Sequence, residues 1–200
     1  MPKKFLKLYN FNMNELTKNF QLISIIKFKQ AKLKEFDCGR NDLNQFLTEE
    51  ALTFQAELLG STQLGIDKNS SKIIFYYTLE NDRISKKNLS YHVSSSQWKK
   101  FQHISPITNF PALKIGRLAV AKEFQNQNIG SEVLTHIKNL AINSNSLGGC
   151  RFLTVDSDPR LEVVKFYQQN DFALLISATK VAEFIAKNKK VPLFLDLKNL

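Results

Sequence analysis

Disulfide chemistry has almost no place in this 200-residue chain. Its two cysteines, Cys38 and Cys150, lie far apart and show no CxxC spacing. A disulfide framework is thereby excluded, and a reducing, cytoplasmic setting is expected. Histidine is equally scarce: His92, His103 and His136 are isolated from one another and from the cysteines. No metal-ligand spacing arises, so no metal is expected. Long apolar runs are missing too. The most apolar stretch near the N-terminus, residues 22–26, is far too short to span a bilayer. The basic opening MPKKFLKLYN is followed by no apolar core or small-residue cleavage site, which argues against a signal peptide. Neither GxxxxGK[ST] nor GxGxxG occurs, and no Cys/His pair or Ser triad stands out.

What remains is a chain able to bury a core. Hydrophobic residues make up 43%, with 16 Phe, and the 23% of charged residues is ordinary for a globular protein. Net charge is +10 and unevenly placed. Lys3, Lys4, Lys7, Lys18, Lys27, Lys29, Lys32 and Lys34 face only Glu15 before residue 35. Such a basic segment attracts polyanions in a salt-dependent way. A lysine-rich solvated surface explains it equally well, because no aromatic-interleaved nucleic-acid motif is evident in sequence.

The chain divides into a basic N-terminal extension, 1–20, and a single domain, 21–200. Residues 21–28 (QLISIIKF) read as a strand. Asp42, with Gln45 three residues on, forms a capping-box pattern for a helix carrying Leu43, Phe46, Leu47, Phe54 and Leu58, closed by Gly60. Residues 72–80 (KIIFYYTLE) read as a strand ending at the Asn81-Asp82 turn signal. Ser94, Ser95, Ser96, Pro106 and Pro111 make 86–111 a long irregular connection. Strand 113–120, polar loop 121–129, amphipathic helix 130–143 and strand 150–156 compose a βαβ unit, whose strands should be parallel with a right-handed crossover. Ser157-Asp158-Pro159 should cap a helix running to about Gln169, with Pro at its first position. Residues 172–176 and 192–197 supply further strands. The expected fold class is therefore α/β (α+β), a mixed, mostly antiparallel sheet flanked by helices.

The loop Gln125-Asn126-Gln127-Asn128-Ile129-Gly130-Ser131 lies between strand and helix, where free amides and the helix dipole favour an anion. Residues 116–131 resemble motif A of the GNAT family of N-acetyltransferases, whose loop reads Arg/Gln-x-x-Gly-x-Gly/Ala. Gln125 matches the first position and Gly130 the last. Asn128 stands where the first glycine is usual, and Asn tolerates a left-handed backbone. Phe36-Asp37-Cys38-Gly39 with Leu43-Asn44-Gln45-Phe46-Leu47 resembles the FDCGxxxLNxFL opening of one branch, the tRNA-acetylating toxins of bacterial toxin–antitoxin pairs. Tyr76-Tyr77-Thr78-Leu79 is similar to its YYTL strand, and Gly116-Arg117-Leu118-Ala119-Val120 to its GRLAV strand. Phe166-Tyr167 with Phe172 is similar to its FYxxxGF segment, with Asp171 at the usual glycine. These blocks cover roughly residues 33–176 in the branch's order.

The resemblance implies a GNAT (acyl-CoA N-acyltransferase) fold and acetyl transfer from acetyl-CoA to an amine, with the α-amino group of aminoacyl-tRNA as acceptor. Leu118, Ala119 and Val120 would pair with the pantetheine arm, and residues Gln125 to Ser131 would hold the pyrophosphate. Tyr167 would give the leaving thiolate its proton, and a backbone amide would meet the oxyanion. Arg117 and Tyr77 are tentative substrate contacts. Arg117 reads equally as a structural ion pair, and Tyr77 more readily as strand packing. Asp156 and Asp158 read as a base acting through water or as a strand end and an N-cap, leaving the general base unassigned. Expected partners are acetyl-CoA, tRNA and a cognate antitoxin, with no membrane and with room for a homodimer. Two other functions stay open: acetylation of a small-molecule or protein amine, and a degenerate fold acting as a binding module.

Overall fold

The computed structural model describes residues 20–90, 107–143 and 149–200. Seven strands form one sheet in the order β1-β2-β3-β4-β5-β7-β6. They are β1 (Phe20–Ser24), β2 (Ser61–Asp67), β3 (Ile73–Ser85), β4 (Asn109–Val120), β5 (Phe152–Ser157), β6 (Ala173–Leu174) and β7 (Val191–Asp196). β4 and β5 run parallel, from Ala112 opposite Phe152 to Ile115 opposite Val155. The β1–β2, β5–β7 and β6–β7 pairs are antiparallel, as a mixed, mostly antiparallel sheet requires. The chain forms two compact units, residues 1–78 with 117–139 and 199–200, and residues 79–116 with 140–198.

In the first unit, β1 pairs with β2 in register from Phe20 opposite Asp67 to Ser24 opposite Gln63. The apolar run Ile73–Thr78 of β3 is buried at every position, as expected for a strand covered on both faces. A helix, α1 (41–56), covers one face. Its middle turn, Phe46–Glu50, is a π-turn between α-helical Asn41–Gln45 and Ala51–Ala56. Widening the turn lets Phe46 and Leu47, neighbours in sequence, both reach 2% exposure or less. They join Phe36, Leu64, Tyr76 and Ala119 in one apolar cluster. Each such large side chain stabilises the fold by about 1.5–3 kcal/mol through burial.

The second unit has its own core, in which Phe110, Phe152 and Phe194 meet edge to face at 5.8 and 5.9 Å beside Ile84 and Leu89. Thr154 Oγ1 donates to Asp82 Oδ2 at 2.6 Å, and Arg151 pairs with Asp196 at 2.7 Å. Its helices are α2 (Lys86–Ser90), α4 (Leu161–Gln169) and α5 (Ala178–Ala186). The fifteen-residue α3 (Ile129–Asn143) follows β4 and buries Val133, Leu134 and Ile137 on one side.

Several expected boundaries move. The first strand ends at Ser24, and Ile25–Lys27 and Gln30–Glu35 are 3-10 turns anchored by buried Ile25 and Leu33. The N-cap of α1 is Arg40, without a side-chain cap bond, because Asp42 instead accepts from Arg40 at 3.0 and 3.1 Å. Asn81 and Asp82 do not end β3, since Asp82 is fixed from across the sheet by Thr154. β4 begins at Asn109 and includes Pro111, whose carbonyl accepts from the Arg151 amide at 3.0 Å. The N-cap of α4 is Arg160, not the Ser157–Pro159 run, since β5 continues through Ser157 and Arg160 pairs with Asp158. The strand expected over 172–176 is only Ala173–Leu174. Much of the connection expected over 86–111, including its three consecutive serines and Pro106, lies outside the described residues, as does the 1–19 part of the extension.

Gly60 does not close α1. The helix ends at Ala56, and Leu58 takes the left-handed turn at φ 58° while the Leu59 amide reaches the Phe54 carbonyl at 3.1 Å. Leu58 is 90% exposed, so its side chain contributes nothing to the core. A non-glycine residue there costs about 1 kcal/mol or more. Leu58→Gly should therefore raise the unfolding free energy by about 1 kcal/mol in urea denaturation, with an unchanged m-value; a loss of stability would refute this account of the helix end.

Candidate acyl-carrier site

β4 delivers Arg117, Leu118, Ala119 and Val120 to the mouth of a loop. Ala121 leaves the strand by donating to the Ile74 carbonyl at 2.7 Å, and a 3-10 turn, Lys122–Phe124, follows. Asn126 and Asn128 then adopt φ 61° and 64°, the left-handed conformation in which Asn replaces glycine at least cost. The Asn128 carbonyl accepts from Ser131 and Glu132, both at 3.1 Å, and so starts α3. The amides of Asn126, Gln127, Asn128, Ile129 and Gly130 make no hydrogen bond among the described residues. Free donors at the positive end of a fifteen-residue helix form an anion cradle.

A loop with so many free amides has to be held by other groups. The Gln125 side-chain amide donates to the Cys38 and Val120 carbonyls, each at 2.9 Å. The Lys122 amide donates to the Asp37 carbonyl at 2.8 Å, and Gln127 Nε2 donates to the Glu123 carbonyl at 3.0 Å. The Asp37–Gly39 turn is itself locked. Asp37 Oδ1 accepts from the Gly39 amide at 2.7 Å and from Asn44 Nδ2 at 2.8 Å, while Asn44 Oδ1 accepts from the Cys38 amide at 3.0 Å. These bonds, the Gly39 amide first, hold the Asp37 carboxyl below the usual carboxylate range. Sequence alone reads this turn as orienting the next helix. Its carbonyls also clamp the loop, a role no spacing could show.

Tyr77 is 1% exposed, and its hydroxyl lies 3.1 Å from His136 Nε2. That burial fits the strand-packing reading weighed beside the tentative substrate contact. Nothing in the sequence pointed to His136 as its partner. Arg117 stacks its guanidinium 4.6 Å from the Phe46 ring centroid, a cation–π contact.

Tyr167, in the second unit, is 6% exposed with its ring edge-on to Phe166 and Phe172 at 5.2 and 5.5 Å. Burial pushes its phenol well above the ordinary range, so it stays protonated. Asp171 takes φ 72°, and the Phe172 amide returns to the Tyr167 carbonyl at 3.1 Å, a Schellman-type ending. Asp156 is engaged by Lys114 at 2.6 Å and Asp158 by Arg160 at 2.8 Å, so both carboxylates serve ion pairs. Among the described residues no cluster of three or more His, Cys, Asp or Glu could hold a metal, and no helix is long and apolar enough to cross a membrane.

The strand, the glycine-substituted loop and the amide-rich helix start define an acyl-CoA N-acyltransferase fold. Residues 97–172 match the model of the acetyltransferase (GNAT) family. Over that stretch the chain is similar to GNAT-family acetyltransferases. Solved structures share the fold. AtaT complexed with acetyl-methionyl-tRNAfMet is 22% identical with TM-score 0.72, covering 90% of this chain and 96% of its own. A Tyr→Phe mutant of KacT is 22% identical with TM-score 0.71 and covers the same shares. A mutant AtaT toxin bound to the C-terminus of the antitoxin AtaR and acetyl-CoA is 19% identical with TM-score 0.65, covering 90% and 95%.

One consequence concerns pH. Burial lowers the His136 pKa below its ordinary value of 6.5. The unfolded chain therefore takes up a proton that the folded chain refuses as pH falls through about 6.5, and stability drops. The melting temperature should fall between about pH 7.5 and 5.5, and His136→Gln should flatten that fall. An equally steep fall in the variant would show that other groups cause it.

Proposed function

We infer that this chain acetylates the α-amino group of aminoacyl-tRNA, as the toxin of a cytoplasmic toxin–antitoxin pair. The supporting observation is the coincidence of the GNAT match with a toxin-type fold over 90% of the chain, in a protein of net charge +10. A polyanionic acceptor suits that charge. The loop fits the acyl donor. Leu118, Ala119 and Val120 would align the pantetheine arm, and the free amides of residues 126–130 would receive the pyrophosphate, with Gln125 and Ser131 framing them. Acetyl-CoA supplies the activated thioester, so the protein needs no covalent nucleophile. Tyr167, kept neutral by burial, would hold the proton that the leaving thiolate requires. An antitoxin covering the toxin is the partner expected by analogy with the AtaT–AtaR complex.

The direct test is acetyl transfer from labelled acetyl-CoA to a mixture of charged tRNAs, with uncharged tRNA and small amines alongside. Label retained on aminoacyl-tRNA alone is expected; label on a small amine would replace this acceptor.

Tyr167→Phe should lower kcat by about 100-fold or more with little change in acetyl-CoA affinity. In the wild type, no loss of rate from phenol ionisation is expected below about pH 10. Unchanged turnover in the variant would remove Tyr167 from the chemistry.

A further inference from the structure

The 3-10 segments that follow β1 bury Ile25 and Leu33 and turn their lysines outward. Lys27, Lys29 and Lys34 are exposed and Lys32 is half-buried, and none forms an ion pair among the described residues. Beside them opens a cavity of about 440 Å³, within the first unit, lined in part by Phe28, Lys32, Phe36, Lys72 and Lys122. Phe28 is half-buried, so part of its ring is open to a ligand, while Phe36 is fixed edge-on to Tyr76 at 5.4 Å. The aromatic partner that the lysine run lacks as a linear motif is thus supplied by folding.

The carboxylates on this face are largely occupied. Lys72 and Glu123 pair at 3.3 Å, and Asp37 is bound by the Gly39 amide and Asn44. Lys27, Lys29, Lys32, Lys34 and Lys122 therefore outweigh Glu35 and Asp37. A run of exposed lysines flanking a partly open aromatic ring in sequence is an arrangement that binds single-stranded nucleic acid, with phosphates on the lysines and a base against the ring.

We propose that this face binds an unpaired stretch of RNA, with backbone phosphates on Lys27, Lys29, Lys32 and Lys34 and one unstacked base in the cavity against Phe28. The proposal rests on the tRNA reading above and names the surface that would engage the acceptor. A peptide of mixed charge would find the same cavity, but would leave the four outward lysines unmatched.

The test is tRNA binding by the full chain over a range of salt, comparing the wild type with the triple variant Lys27→Glu, Lys29→Glu, Lys34→Glu. Each lost phosphate contact lowers the slope of log K against log salt by about 0.7–0.9. The triple variant should therefore lose about 2 in slope and bind at least about 10-fold more weakly at moderate salt. Its acetyl-CoA affinity and melting temperature should stay at the wild-type values. Phe28→Leu should also weaken tRNA binding, and Phe28→Tyr should preserve it. Wild-type affinity and slope in the triple variant, with aminoacyl-tRNA still acetylated, would overturn this surface alone. Lysine-dependent binding without acetylation of aminoacyl-tRNA would keep the surface and discard the acceptor. Absent or salt-indifferent binding by the wild type would overturn both, and full affinity in Phe28→Leu would overturn the base site.

Discussion

A loop that leaves five consecutive backbone amides free cannot hold its own shape. It lacks the internal bonds that would fix it, and Asn126, Gln127 and Asn128 are exposed, where water can meet their amides. Here the restraint comes from outside the loop. The Gln125 side chain grips two carbonyls, the Lys122 amide grips a third, and two of those three acceptors sit in the Asp37–Gly39 turn. Asn44 in turn fixes that turn from both ends, accepting from Cys38 and donating to Asp37. The loop therefore depends on residues some eighty positions earlier in the chain. This gives the FDCG and LN blocks a shared physical purpose. They are the abutment against which the anion cradle is set.

The same logic explains the departures from glycine. Left-handed backbone is needed at Asn126, Asn128 and Asp171, where φ is 61°, 64° and 72°. Asn and Asp are the residues that reach that region most cheaply after glycine, because their short polar side chains bond locally. The substitutions change the cost of each turn without changing its geometry.

Periodicity made α3, β7 and the parallel β4–β5 pair legible, because each combines an apolar pattern with nearby turn signals. Much of the rest depended on tertiary contacts that no window of sequence contains. β2 was missed although Thr62, Leu64 and Ile66 alternate into the core, because Gly65 between them reads as a turn residue; a Cβ there would meet the Phe75 ring. α5 was missed as well, and although it is amphipathic no residue in it is fully buried. Asn81-Asp82 looks like a turn until Thr154 arrives from β5 to satisfy Asp82. The π-turn in α1 likewise follows from where Phe46 and Leu47 must point, which is set by the sheet and not by the helix. At the site, the identities of Gln125 and Tyr167 came from motif resemblance. The Tyr77–His136 contact and the stacking of Arg117 on Phe46 had no local signal at all.

Burial and charge divide the chemical labour in the chain. Tyr77, Tyr167 and His136 are each held neutral by desolvation. The positive charge is kept at the surface, where lysines cost little to solvate and act over a Debye length. A change in surface lysines leaves the protonation of the buried phenol untouched.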